Sequence, residues 1–160
     1  MGGWCDHVTL EPSRKVNSRP FNTISSTAIH TSTAWIDSGQ SGNINYDYAV
    51  VEVGSNIGQQ TGLFGFTSNS YKGLSITING YPDDKMGDYG ITQWLHTGTL
   101  TTIYDNTVET NNTDAAKGQS GGPFYNNNDE AVAIMTGQNA SNNIGTRITG
   151  QLVNWLSTFR

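Results

Sequence analysis

Nowhere in this 160-residue chain does an apolar stretch run for more than a few residues. Short runs of β-branched and aromatic residues, such as Tyr48-Ala49-Val50-Val51-Glu52-Val53, are cut at each end by Gly, Asn, Asp or Pro. Runs of that length, so punctuated, suit a sandwich or barrel, and all of them fall far short of the roughly 18 apolar residues that span a bilayer. The pattern predicts an all-β fold with strands near 8–10, 27–36, 48–53, 74–80, 90–102, 107–110, 122–125, 131–135 and 145–148. Asn79-Gly80-Tyr81-Pro82 and Asn126-Asn127-Asn128-Asp129 tolerate or fix the backbone angles of reversals, so each should end a strand. One segment has helical spacing instead: Ile148, Leu152, Trp155, Leu156 and Phe159 recur every three or four residues, with Thr149 placed as an N-cap. A single helix over 149–159 is therefore expected to close the chain.

Composition narrows the function. Charged residues make up 13% of the chain, near half the roughly 25% of ordinary soluble domains, which argues against coiled coils and solvated helices. The formal charge is −5 and the only cationic cluster is Arg14, Lys15 and Arg19, too little positive field to hold phosphates. Neither nucleic acid nor a membrane is expected as a partner. Three scattered histidines and one cysteine, without ligand spacing, predict no metal site and no cofactor. Met1-Gly2-Gly3-Trp4-Cys5-Asp6 has neither the basic nor the apolar region of a secretory signal. The Ser/Thr/Asn/Gly-rich surface nonetheless looks like that of an extracellular protein, and Asn111-Asn112-Thr113 and Asn139-Ala140-Ser141 match glycosylation acceptors.

The most informative hexapeptide is Gly118-Gln119-Ser120-Gly121-Gly122-Pro123. A serine hydroxyl attacks a carbonyl only when a base takes its proton and N–H donors hold the resulting oxyanion. Without a Cβ at Gly118, the backbone can aim that amide at the same point as the amide of Ser120, while Gly121 and Gly122 leave the hydroxyl uncovered. Asp47 stands at the mouth of a β-branched strand, where an acid that orients an imidazole must be held.

Asp47-Tyr48-Ala49-Val50-Val51, followed 73 positions later by Ser120, resembles the chymotrypsin-fold serine proteases, specifically their glutamyl endopeptidase-like branch. Gly80-Tyr81-Pro82-Asp83-Asp84-Lys85-Met86 with Gln93-Trp94, the Gly145-Thr146-Arg147-Ile148-Thr149 stretch, and Gly2-Gly3-Trp4 with Val8-Thr9 at the front resemble further segments of that branch. The resemblance implies two antiparallel β-barrels with the active site between them. Residues 1–56 would be the remainder of an incomplete N-terminal barrel carrying the acid Asp47. Residues 57–160 would be the C-terminal barrel carrying the nucleophile Ser120, ending in the closing helix. The amides of Gly118 and Ser120 would form the oxyanion hole, and substrate main chain would pair with the strand around Thr136, Gly137 and Gln138. The implied partner is a peptide or protein substrate, cleaved by a monomer.

The chain also departs from that pattern. No Thr-Ala-x-His-Cys-type motif supplies the base. His7, 40 residues before Asp47, is the only histidine in suitable order, but Trp4-Cys5-Asp6-His7-Val8 matches the strand after the family's histidine. His30 and His96 read as ordinary strand histidines. The expectation is a C-terminal portion of a protease that lacks the opening strands of its first barrel, with Cys5 either deprived of a partner or a free buried thiol. Gln119 occupies the place where animal trypsins carry the acid that captures a new N-terminus, so activation by that ion pair is excluded. Met135 stands where the branch reads an acidic side chain with a histidine, and a thioether cannot donate to a carboxylate. Asp114, six residues before Ser120, stands at the spacing of a trypsin pocket acid or is simply an exposed turn residue. Lys117 is placed to neutralise an acidic substrate. Two other roles stay open: a non-catalytic homologue that binds peptides, and a carbohydrate-binding β domain using Trp4, Trp35 and Trp94.

Overall fold

A computed structural model describes residues 5–39 and 43–159, so Gly2, Gly3 and Trp4 lie outside the described residues. Its strands are β1 (Thr9–Leu10), β2 (Ile24–Thr31), β3 (Ala49–Val53), β4 (Gly65–Phe66), β5 (Ser75–Gly80), β6 (Trp94–Thr99), β7 (Thr102–Ile103), β8 (Thr107–Thr110), β9 (Pro123–Tyr125), β10 (Glu130–Gln138) and β11 (Asn143–Arg147). The first three form an antiparallel sheet in the order β1-β2-β3. The rest form one sheet in the order β6-β5-β9-β10-β11-β8-β7, with β4 added parallel to the start of β10.

That second sheet curls back on itself. Its two ends, β6 and β7, are one bent strand interrupted at Leu100 and Thr101, and both corner residues bond to neighbours: the Leu100 amide donates to Leu74 O at 3.0 Å and the Thr101 amide to Glu109 O at 2.8 Å. The inward side of this antiparallel barrel carries the core: Ile76, Ile78, Leu100, Val108, Phe124, Val132, Ala133 and Met135. Every fully buried apolar side chain among the described residues lies between Ile76 and Leu152; none comes from the three-stranded sheet. The architecture is all-β of the chymotrypsin type, with a first sheet of three strands among the described residues.

The structure corrects several boundaries. The expected strand 27–36 stops at Thr31, because the Ser32 hydroxyl accepts the Trp35 amide at 3.1 Å and caps a short helix, Thr33–Asp37. The expected strand 90–102 begins only at Trp94 and breaks at the Leu100 corner, and 131–135 extends from Glu130 to Gln138. The closing helix is not the single one: besides Thr33–Asp37, short helices form at Gly58–Thr61 and Met86–Tyr89. At the C-terminal end the α-helix runs over Gly150–Leu156 and tightens to 3-10 over Ser157–Phe159, with the Thr149 hydroxyl capping the Leu152 amide at 3.2 Å. No helix among the described residues is long and apolar enough to cross a membrane. Of the cationic cluster, Arg14 and Arg19 both clasp Glu11, and Arg19 ahead of Arg14 holds its carboxyl below the usual range.

The first sheet is fastened to the barrel at named points. The Val16 amide donates to Ile91 O at 2.6 Å, and the Thr146 hydroxyl donates to Ile44 O at 2.5 Å. The closing helix adds aromatic contacts: Trp155 lies 5.4 Å from Tyr48 and Phe159 lies 4.7 Å from His30, ring centre to ring centre.

Candidate active site

Asp47 follows a 3-10 turn, Ile44–Tyr46, whose entry is capped by the Asn43 side chain. Either side of the acid is pinned: Ile44 O by Thr146, Tyr48 O by the Thr31 hydroxyl at 2.9 Å, and the Tyr48 ring by Trp155. Its own carboxylate receives no hydrogen bond among the described residues, and burial pushes its pKa above the ordinary carboxylate value.

Ser120 sits on an exposed turn between Gly118, at φ 95°, and Gly121, at φ 85°. Glycine is required at Gly118 for a second reason, since a Cβ there would stand 2.5 Å from Asp83 Oδ1 and 2.6 Å from Tyr81 O. Gln119, only 4% exposed, ties the turn from below: its Oε1 accepts the Ala116 amide at 2.8 Å. The Gln119, Gly121 and Gly122 amides donate to Ala116 O, Met135 O and Gln119 O, whereas those of Gly118 and Ser120 donate to no carbonyl among the described residues. Two free donors thus flank the serine hydroxyl.

Asp47 and Ser120 open on the same cavity, of about 700 Å³, together with Cys5, Trp35, Tyr48, Ile134 and Met135 among others. Met135 is thus brought to the site; Gly118, Lys117, Thr136 and Gly137 do not line this cavity. Thr136 bonds instead to its own strand and to Thr146, and Lys117 is exposed with its carbonyl accepting the Asp83 amide. Beyond Met135, the side of β10 away from β11 takes no strand among the described residues, so Thr136 to Gln138 present an open edge. Asp114 lies elsewhere, exposed beside a second cavity of about 280 Å³ with Asp84, Lys85, Trp94, His96 and Gln119.

None of the three histidines lines the cavity shared by Asp47 and Ser120. His7 meets the Thr9 hydroxyl, and His30 pairs with Glu52 at 2.5 Å. Cys5 is free and exposed, not a buried thiol, and it borders the cavity. Its presence there, like that of Trp35, had no signal in the sequence, because a helix and a loop from distant segments bring them in. Of the tryptophans considered for sugar stacking, Trp35 and Trp94 line different cavities, and Trp4 lies outside the described residues.

The trypsin family model matches residues 12–156. The chain belongs to the trypsin family. It is 33% identical to the glutamyl endopeptidase of Bacillus licheniformis over 96% of this chain and 52% of that protein. It is also 33% identical to a Bacillus subtilis protein named extracellular metalloprotease, over 95% of this chain and 49% of that one. The chain therefore spans about half the length of these curated relatives. Among solved structures, a Glu endopeptidase bound to MPD superposes with a TM-score of 0.87 at 24% identity, covering 96% of this chain and 71% of that one. The protease Anisep of Arthrobacter nicotinovorans superposes at 0.73 and 21% identity, over 98% and 76% of the two chains. These two likenesses establish the fold of this trypsin-family chain.

Proposed function

We propose that this trypsin-family chain is the serine-bearing portion of an extracellular, monomeric endopeptidase that cleaves peptide bonds through an acyl-enzyme on Ser120. The observation that carries the reading is the one cavity onto which an exposed serine hydroxyl and a partly buried carboxylate, without a hydrogen bond among the described residues, both open. In this reading residues 1–56 are the remainder of the acid-bearing barrel and 57–160 the serine-bearing one, in keeping with the two sheets. Asp47 orients an imidazole that takes the Ser120 proton, and the Gly118 and Ser120 amides receive the oxyanion. Because none of the described histidines lines the cavity, that imidazole is supplied by a segment other than these residues. Its absence costs orders of magnitude in rate even where the oxyanion donors are intact. The extracellular address draws support from the Bacillus subtilis relative's name.

The test is fluorophosphonate labelling. A chain extended upstream through a histidine-bearing segment should be modified at Ser120, with Ser120→Ala unlabelled and the present 160 residues labelled far more slowly. No modification of the extended chain would overturn the catalytic role. The second reading, a peptide-binding homologue without turnover, is favoured by the position of the histidines and predicts tight peptide binding in that same unlabelled protein.

A further inference from the structure

The end of β10 carries an unusual bridge. The Gln138 side chain leaves the open edge and crosses to the segment that leads into the Ser120 turn, where its Nε2 donates to Ala115 O at 2.5 Å and to Asn143 Oδ1 at 2.7 Å. Asn143, 6% exposed, in turn donates through Nδ2 to Thr113 O at 2.9 Å and to Thr113 Oγ1 at 3.0 Å. The bridge is therefore made of paired polar groups, and neither Gln138 nor Asn143 lines either of the two cavities described above. Both hydrogens of the Gln138 amide are spent on these two bonds, so the only polar atom this exposed side chain still has to offer is Oε1, an acceptor.

In the peptidase reading, a substrate whose carbonyl oxygen meets the Gly118 and Ser120 amides and whose chain lies along Thr136 to Gln138 sends its side chain between β10 and the 115–119 segment. The Gln138 amide stands in that gap. We infer that Gln138 is the specificity-determining residue of the cleft and limits the residue on the acyl side of the scissile bond to small, uncharged side chains. This rests on the peptidase reading and deepens it by naming a substrate class. A large side chain meets the bridge, and breaking the bridge strands the Asn143 carbonyl oxygen and the Ala115 carbonyl without donors. A carboxylate finds no donor left on that amide, whose remaining polar atom is an acceptor. Lys117 offers the only cation on that segment, and its exposed charge is screened by water and salt.

Binding of product-like peptides tests this without requiring turnover. N-acetyl-Ala-Ala-Ala, N-acetyl-Ala-Ala-Phe and N-acetyl-Ala-Ala-Glu, each ending in a free carboxylate, are titrated into the 15N-labelled chain while the Ser120 and Gly118 amide resonances are followed. The Ala peptide should bind about tenfold more tightly than the other two, the scale on which a pocket separates side chains by size. Gln138→Ala should bring the Phe peptide to within about threefold of the Ala peptide, and Gln138→Ser, which restores a small polar group on the strand, should do the same. Equal affinities in the parent chain, a preference for the Glu peptide, or an order unchanged in both variants would each overturn the inference while leaving the peptide cleft in place. If none of the peptides shifts those resonances in any of the three proteins, the peptidase reading falls and takes the inference with it.

Discussion

Three neighbouring glycines allow the forces that shape the Ser120 turn to be separated. Gly121 has a left-handed φ of 85° with open space where a Cβ would go, so Gly121→Ala carries only the backbone penalty, about 1–2 kcal/mol. Gly122 has no positive φ, but a Cβ there would collide with the Asn79 carbonyl oxygen, so Gly122→Ala carries only an overpacking penalty, about 1–3 kcal/mol. Gly118 carries both, with φ 95° and an added Cβ only 2.6 Å from the Tyr81 carbonyl oxygen and 2.5 Å from an Asp83 carboxylate oxygen. Relief there must also disturb the 2.7 Å bond from the Asp83 amide to Lys117 O. Gly118→Ala should therefore cost about 2–5 kcal/mol, the sum of the two terms. At about 3 °C per kcal/mol for a domain of this size, Gly121→Ala should melt roughly 3–6 °C and Gly118→Ala roughly 6–15 °C below the parent. Urea titration followed by tryptophan fluorescence, with thermal melts by circular dichroism, reads both numbers. The reasoning is refuted if Gly118→Ala and Gly121→Ala are equally stable within about 0.5 kcal/mol, the range of a surface substitution without a named mechanism.

Two further outcomes follow from burial. Asp47 is ionised at a cost because burial raises its folded pKa above the unfolded value; below the unfolded value both states are protonated and the cost is absent, and it grows as pH rises until the folded pKa is passed. Asp47→Asn should thus match the parent's stability near pH 3 and exceed it at pH 7, and a gap that widens toward acid in paired melts would refute this. Phe124, with no exposed surface, packs between β5 and β10 in the barrel, so Phe124→Ala should lose about 3–5 kcal/mol in urea unfolding, and a loss below about 1 kcal/mol would mean that the barrel core is not closed around it.

How much of this was legible beforehand depends on the range of the interaction. Strands such as Ser75–Gly80 and Thr107–Thr110 could be read because β-branched residues meet turn formers within a few positions. The helix at Gly150–Leu156 could be read because Thr149 and the apolar spacing are local. The helix at Thr33–Asp37 could not: Ser/Thr/Ala alternation suits a strand equally well, and only the Ser32 cap decides. The bend at Leu100 escaped because it exists to let one strand pair with β5 at one end and β8 at the other, a closure no window of sequence contains. In the site, Ser120 and its glycines announce themselves as a contiguous motif, whereas the Gln138 bridge joins residues 23 positions apart and the residues that share a cavity with Asp47 come from four other stretches.

The pins on Asp47 also set an order of events. Ile44 is gripped by Thr146 and Tyr48 by Trp155, partners that lie about a hundred residues further along the chain. On a ribosome, the turn that presents this carboxylate leaves the exit tunnel before Thr146 and Trp155 do and must wait, loosely held, until they have been translated and rolled into place. The carboxylate is therefore made about a hundred residues before the partners that seat it.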